Sequence, residues 1–438
     1  MKHPQFIRFF AASSGLALAS TLSLAAHATQ PLESFLERAK THSFDAREAA
    51  ATETQRDAEA SAALGRLTPS FSARGVYTRN QEEVAAEFPL QPGMDPIRLV
   101  ITPLNQLDAF LQLDVPIIDL ASYHRYKAAI ALRESASEQR GATTIDVSRS
   151  VARAYYQFLG AGALLRSAQE SIKLAQANLQ NVDDRRAAGA ATDLDHERAA
   201  ASVARAEQDL ADAELGAALA ARALETLSGL SPEVAQAFPE DDLRGEGALG
   251  NWVSLAGGTP GQRAAQKLGE AAEQNRKAAS RALWPTLAGS AQERITNATG
   301  FGGRNATYTL QLVLSWRLDY GTWAGSDAQA AALEVQRVRV ERTRRASEDA
   351  AFEAFKRVEA GIAKSRSARA QEAAAKRAAD LSLERYSAGV ATQLDVTQAQ
   401  RDAFLASSAK IQADADLAFS RAALRLATGV SVSDKRPR

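Results

Sequence analysis

Two short stretches hold the residues best placed to do chemistry. Gly189-Ala-Ala-Thr192-Asp193-Leu194-Asp195 recurs as Gly389-Val-Ala-Thr392-Gln393-Leu394-Asp395, at an offset of 200 residues. In each, a glycine can take the left-handed conformation that ends one helix, and a threonine can cap the next. Asp193, Asp195 and Asp395 suit the positive end of such a helix. A carboxylate there has a second possible use. Repeated by symmetry around a narrow axis, it repels its own copies, attracts cations and has its pKa raised. On the residues alone both readings of Asp195 and Asp395 stand. Turn geometry explains the glycines, but it does not require an Ala-Thr pair after both.

The remaining reactive residues point away from catalysis. There is no cysteine among the 438 residues, which removes disulfides, thiolate chemistry, Cys-ligated zinc and a lipidated N-terminal cysteine. Of the 5 histidines, His3 and His27 lie near the start, leaving His42, His124 and His196. His196-Glu197 lacks the second histidine of a zinc-binding helix. His124, beside Tyr123 and Tyr126, reads as a packing or interface residue. Gly160-Ala-Gly162 lacks the further glycine and the strand–turn–helix setting of a dinucleotide loop. No Gly-x-Ser-x-Gly element or phosphate loop occurs. With no convergent polar set, no enzyme, no cofactor and no metal site is expected. Charges balance at 52 basic and 52 acidic, and setting aside Lys2 and Arg8 leaves 50 against 52. That lacks the basic excess of a nucleic-acid binder.

The elements that must position the two tips follow from patterning. Residues 1–28 read as an export signal: Lys2 and Arg8, a mostly apolar or small run from Phe9 to Ala26, then Ala26-His27-Ala28 as a cleavage site. No later stretch offers roughly 18 uninterrupted apolar residues, so any membrane crossing must be made by strands. The repeat extends well beyond the tips. Asp119, Arg185, Leu224 and Gly229 match Asp319, Arg385, Leu424 and Gly429 at 200 residues. Leu67-Thr68-Pro69 matches Leu283-Trp284-Pro285 at 216, so the first copy carries 16 extra residues between Pro69 and Asp119. Each copy reads as helix, strand, loop, strand, long helix, turn, helix. Residues 120–186 and 322–387 contain no proline and no loop cluster. A helix of ~65 residues is roughly 100 Å long. Gly189 and Gly389 end these helices, and the return helices run to about Gly229 and Gly429. Their apolar faces are mostly Ala and Leu, which permit the close approach of a coiled coil or helical barrel.

The strands alternate. Tyr308, Leu310, Leu312, Leu314, Trp316 and Leu318 point one way, and Thr307, Thr309, Gln311, Ser315, Arg317 and Asp319 the other. Leu107, Ala109, Leu111, Leu113 and Val115 oppose Asp108, Gln112 and Asp114 in the same manner. This is the pattern of strands with one wet and one apolar face, and their partners fall near residues 70–79 and 286–297. The expected hairpins span about 70–116 and 286–318. Four strands cannot close a membrane barrel, which needs roughly eight. An open edge in lipid leaves backbone groups unpaired. Several chains must then share one barrel. The alternative is a soluble hairpin packed on the helices.

Pro116-Ile-Ile-Asp119 and Trp316-Arg-Leu-Asp319 mark the passage from strand to helix, and Arg186-Ala-Ala-Gly189 and Tyr386-Ser-Ala-Gly389 mark the tips. With the duplication and the element order, these motifs resemble the TolC-like outer-membrane efflux proteins over nearly the whole mature chain. The resemblance implies a mainly α fold with membrane β-structure. Internally duplicated long helical hairpins form a trimeric α-barrel tunnel, and four strands per chain contribute to a shared twelve-stranded outer-membrane barrel. The expected division is 1–28 signal peptide, 29–230 first repeat, 231–261 connecting segment at the tunnel's waist, 262–430 second repeat and 431–438 tail. Loops around 79–106 and 298–305 would be extracellular. The implied partners are two further copies of the chain in a homotrimer, a periplasmic adaptor, an inner-membrane pump and outer-membrane lipid, with a long periplasmic portion below the membrane. The implied function is the passive exit duct of a tripartite export system, opened by iris-like realignment of the periplasmic helix ends. Type I polypeptide secretion by the same architecture and a soluble periplasmic coiled-coil scaffold or adaptor are the alternatives.

The resemblance also assigns roles at the tips. Asp395 sits at the first aspartate ring of the aperture. Tyr386 sits at a tyrosine that ties neighbouring helices shut, and Asp195 at the acidic partner of that tyrosine and of an arginine. Ala391 stands where the arginine would be, and Gln398 where a second acidic ring would be. Gly189, Ala190, Thr192, Gly389, Val390 and Thr392 correspond to the surface on which adaptor hairpins dock.

Overall fold

The computed structural model describes residues 30–88, 97–233, 238, 240–430 and 432. The export signal, and all of the C-terminal tail except residue 432, lie outside the described residues. The described residues open with α1 (Leu32–His42) and α2 (Phe44–Gly65), broken at Ser43, whose hydroxyl accepts from the Ala46 amide at 3.2 Å to start the second helix. Then come β1 (Ser70–Arg79), β2 (Val84–Phe88), β3 (Ile97–Thr102) and β4 (Asn105–Ile118). The first long hairpin is α3 (Leu120–Ala187) and α4 (Asp193–Ser228). After a connector, α5 (Leu249–Ala256), α6 (Pro260–Arg281), β5 (Thr286–Thr296) and β6 (Ala306–Ser315) precede the second hairpin, α7 (Tyr320–Ser387) and α8 (Gln393–Ala427).

The duplication is visible in the element lengths. α3 and α7 each have 68 residues, and α2 and α6 each have 22. The starts of α2 and α6 differ by the same 216 residues as the sequence match. Asp119 and Asp319 start the long helices: each carboxylate accepts the amide three residues on, from Ser122 and from Thr322, at 2.8 Å.

The main sheet is antiparallel, in the order β1-β4-β5-β6. Its register sorts side chains by face. Phe71, Leu113, Ala291 and Leu310 form one cross-strand row, and Ser72, Gln112, Gln292 and Thr309 the next. The apolar row faces outward, with Leu310 72% exposed. The polar face is knit together by Arg294 donating to buried Asp108 at 2.8 Å, Gln106 donating to Asp108 at 2.7 Å and Gln112 donating to Asp114 at 2.8 Å. A soluble hairpin would hide the apolar face against helices. Here that face is the exposed one, the arrangement of a strand whose outer solvent is lipid.

Three features depart from the sequence reading. The expected loop around 79–106 contains a second two-stranded sheet, β2 with β3. The alternation runs to Leu318, but β6 ends at Ser315. Ser315 is paired with Thr286, where β5 begins behind Pro285, a residue with no N–H to continue the ladder. Trp316 instead donates its indole N–H to the Leu283 carbonyl at 3.0 Å. The segment expected as a 231–261 connector contains α5, which sits where the 216-residue offset places the counterpart of α1.

Near the membrane the helices pack as a row, α2 on α3, α3 on α6 and α6 on α7. Further down α4, α3, α8 and α7 form the wall. Sheet and wall are both open, with β1 and β6 as strand edges.

Candidate functional site at the hairpin tips

The two tips are built alike. Gly189, φ 77°, follows the end of α3, and Gly389, φ 76°, follows the end of α7. The amides of Ala190 and Val390 reach back to the carbonyls of Arg185 and Arg385 at 2.7 and 2.9 Å, the left-handed cap that glycine allows. Thr192 and Thr392 then open α4 and α8 with a reciprocal capping box. Each threonine hydroxyl accepts from the amide of Asp195 or Asp395, at 3.2 and 3.3 Å. Each aspartate in turn accepts from the threonine amide, at 3.1 and 2.8 Å.

The capping role of both aspartates is therefore present within one chain. For Asp395, hydrogen bonds first from the Thr392 amide and then from its hydroxyl hold the carboxyl below the ordinary aspartate range. Asp395 is exposed and keeps its negative charge at neutral pH, whereas Asp195 is half-buried. Val390 is exposed, as are Gly189, Ala190, Thr192, Gly389 and Thr392. These residues lie in the two turns that join the arms of the long hairpins.

Tyr386 is buried where all four long helices meet, in a cluster with Val182, Ala199 and Val396. Burial pushes its phenol up, against the Arg185 guanidinium and with the Asp195 carboxylate. Its hydroxyl has no hydrogen-bond partner among the described residues, so the expected bond from this tyrosine to Asp195 does not form within the chain. Arg186 pairs with Asp193 at 3.0 Å, and His196 meets Asp183 at 2.6 Å, joining the two arms of the first hairpin. His124 meets Gln274 at 2.9 Å, bridging α3 to α6.

One group was not singled out by the sequence reading. Arg421 of α8, with its side chain 7% exposed, donates to Asp241 at 2.7 and 2.9 Å, to Glu246, and to the Arg244 carbonyl at 2.8 Å. Burial disfavours its charge, but the carboxylates of Asp241 and Glu246 outweigh that and hold its pKa above the ordinary arginine value. Beside it Arg369 bonds Asp414 at 3.1 Å and the Asp241 carbonyl at 3.0 Å. The only sequence signal was the acidic run Asp241-Asp242 and Glu246 inside a Gly-rich connector, which looks like an ordinary solvated loop.

Among the described residues no helix is long and apolar enough to cross a membrane. The model of a family described as outer membrane efflux protein matches residues 35–230 and 259–430. The fold is similar to the VceC outer-membrane protein of Vibrio cholerae, with TM-score 0.74 and 19% identity over 92% of this chain and 97% of that one. It is similar to the CmeC outer-membrane channel of Campylobacter jejuni, with TM-score 0.77 and 15% identity over 99% and 96%. The open state of the MtrE outer-membrane channel of Neisseria gonorrhoeae matches with TM-score 0.74 and 19% identity over 93% and 91%. Against curated proteins, the sequence has no match.

Proposed function

Because the chain belongs to the outer membrane efflux protein family, we propose that it is the outer-membrane exit duct of a tripartite export system, assembled as a homotrimer. The observation that carries this reading is the open sheet. Its apolar face is exposed, its opposite face is polar, and β1 and β6 leave their edges unpaired within the chain. In lipid those edges must pair with something, and the cheapest partner is the opposite edge of a second copy. Three copies of a four-stranded sheet give a twelve-stranded barrel. The open wall of long helices closes by the same rotation into a tunnel beneath it.

The tips then ring the periplasmic mouth. The Asp395 carboxylates face one another and attract cations, and in that ring their mutual repulsion opposes the pKa lowering that the cap produces. The exposed surface around Gly189, Ala190, Thr192, Gly389, Val390 and Thr392 receives a periplasmic adaptor, which couples the duct to an inner-membrane pump. Adaptor contacts that favour separated tips supply the energy of opening. Efflux that survives Val390→Asp at normal trimer level would remove the docking role.

The test is the native mass of the protein extracted in detergent from the outer-membrane fraction. A trimer is expected. A monomer or dimer in the soluble periplasmic fraction overturns the shared barrel and the duct with it.

A further inference from the structure

The wall of long helices has two faces, and α1 and α5 cover one of them. They pack on Val151 and Tyr155 of α3, Ile362 of α7 and Leu417 of α8. Arg153, Lys364 and Phe419 each lie two residues from one of these, and two residues turn an α-helix by roughly 200°. They therefore belong to the opposite face, where a cavity of about 820 Å³ is lined by all four long helices. Three copies of α1, α5 and the connector turned inward would fill the bore of a trimer. In the duct this cavity therefore lines the lumen.

Its lining joins uncompensated positive charge to apolar surface. The Arg153 guanidinium carbon lies 4.8 Å from the centre of the Phe419 ring. Arg357 is held by Glu353 of its own helix at 2.6 Å. Among the described residues neither Arg153 nor Lys364 has a carboxylate partner, although both line the cavity together with Asp416, which accepts from Gln412 at 2.9 Å. Leu164, Leu219 and Ile411 supply the apolar part, and Leu219 is exposed. Three glycines line the cavity as well, for different reasons. A Cβ at Gly160 would meet Ala415 at 3.3 Å and one at Gly361 would meet Leu417 at 3.2 Å, so both serve close helix packing. A Cβ at Gly216 would meet nothing within 4 Å, so the missing side chain there leaves the cavity open. A cation on an aromatic ring in a concave wall, with no counter-ion, attracts anions. The volume is that of a small-molecule site.

We propose that this cavity is a lumenal binding site for amphipathic organic anions, one in each chain. The anionic group pairs with Arg153 and Lys364, and the apolar body lies on Leu164, Leu219 and Ile411. This rests on the duct reading and names a cargo class for it. Asp416 keeps the affinity low enough for release, as a conduit requires. The Asp395 carboxylates at the mouth do not bar such cargo once the tips part, because salt screens their field within about 8 Å.

Equilibrium dialysis of naphthalene-2-sulfonate against the trimer in lipid nanodiscs tests this, with empty nanodiscs as the control for partition into lipid. Saturable binding is expected. Arg153→Gln and Lys364→Gln should each weaken it by roughly fivefold, the scale of a charge pair partly open to water. Asp416→Asn should tighten it by removing the one opposing charge that is unpaired with a base. Gly216→Leu should abolish it by filling the cavity, and it does not endanger the fold because leucine is the better helix former. The neutral 2-naphthylmethanol should bind no better than to empty nanodiscs. Each variant is dialysed only as a trimer verified by native mass. An intact wild-type trimer with no saturable binding, binding that ignores both Arg153→Gln and Lys364→Gln, or equal binding of the neutral alcohol overturns the site and leaves the duct standing. A wild-type protein that forms no trimer removes the duct reading, and the lumenal site with it.

Discussion

The two repeats have long hairpins of matching geometry but fasten them at the waist by different chemistry. In the first, α1 docks through apolar contacts: Phe35, 1% exposed, lies among Val151, Tyr155, Phe158, Leu159 and Leu224. In the second, the shorter α5 docks through Trp252, also 1% exposed, against Phe355, Val358, Leu417 and Leu424. There the connector adds Asp241 and Glu246, which enclose Arg421, and the Trp252 indole donates to the Glu246 carbonyl at 2.8 Å. At the 200-residue offset Arg421 faces Ala221. Duplication thus preserved the path of the backbone, set by helix length, caps and strand register. It left the means of attachment free to diverge, because any contact that holds a small helix in place meets the same geometric need.

The sharpest way to break this comparison is at the two anchors. Arg421→Ala leaves two carboxylates with reduced compensation in a buried place and should cost about 3–5 kcal/mol. Phe35→Ala should cost a similar amount, about 3–5 kcal/mol, by leaving a cavity. Both are read as a lower unfolding temperature of the protein in detergent. The waists separate on rescue: Arg421→Met combined with Asp241→Asn and Glu246→Gln should recover part of the loss, since no uncompensated charge is then left buried. If the triple variant is no better than Arg421→Ala, the ionic cluster is not a stand-alone fastening.

A smaller effect compares the helix ends. Gly229 and Gly429 both have positive φ, 68° and 75°. A Cβ at Gly229 would lie 2.5 Å from the His42 ring, whereas one at Gly429 would meet nothing within 4 Å. Gly429→Ala should cost about 1–2 kcal/mol in backbone strain alone. Gly229→Ala should cost clearly more, and trimming the ring with His42→Ala should bring the two losses together. Equal losses in the native background would show that α1 yields to the methyl group.

The smallest effect compares the tips. Asp395 is exposed and Asp195 half-buried, though both make the same capping box. Asp395→Asn should weaken block of the channel by multivalent cations from the periplasmic side by roughly fivefold, and Asp195→Asn should change it little. Equal effects would place both aspartates on the axis. No effect from Asp395→Asn would leave it a helix cap only.

Much of this was legible in the sequence because its signals are local. Thr192 with Asp195 and Thr392 with Asp395 are capping boxes whose partners lie three residues apart, so spacing alone specifies them. Gly189 and Gly389 end helices for a reason internal to the backbone. The alternating strands gave away their two faces, although where β6 stops depended on where its partner starts. The fate of the waist was not legible. Arg421 and Asp241 lie 180 residues apart, and nothing in either neighbourhood distinguishes them from solvated surface charges.

The sequence by itself determined the duplication, the long helices, the caps and the two-faced strands, because each follows from periodicity or from contacts a few residues apart. Only the tertiary structure decided that Tyr386 has its ring under Arg185 and its hydroxyl without a partner, and that Arg421 is sealed among carboxylates. Those facts depend on which helices lie side by side and at what height. A shift of one helix by a single turn, about 5.4 Å, would leave every local signal intact and exchange every one of these partners.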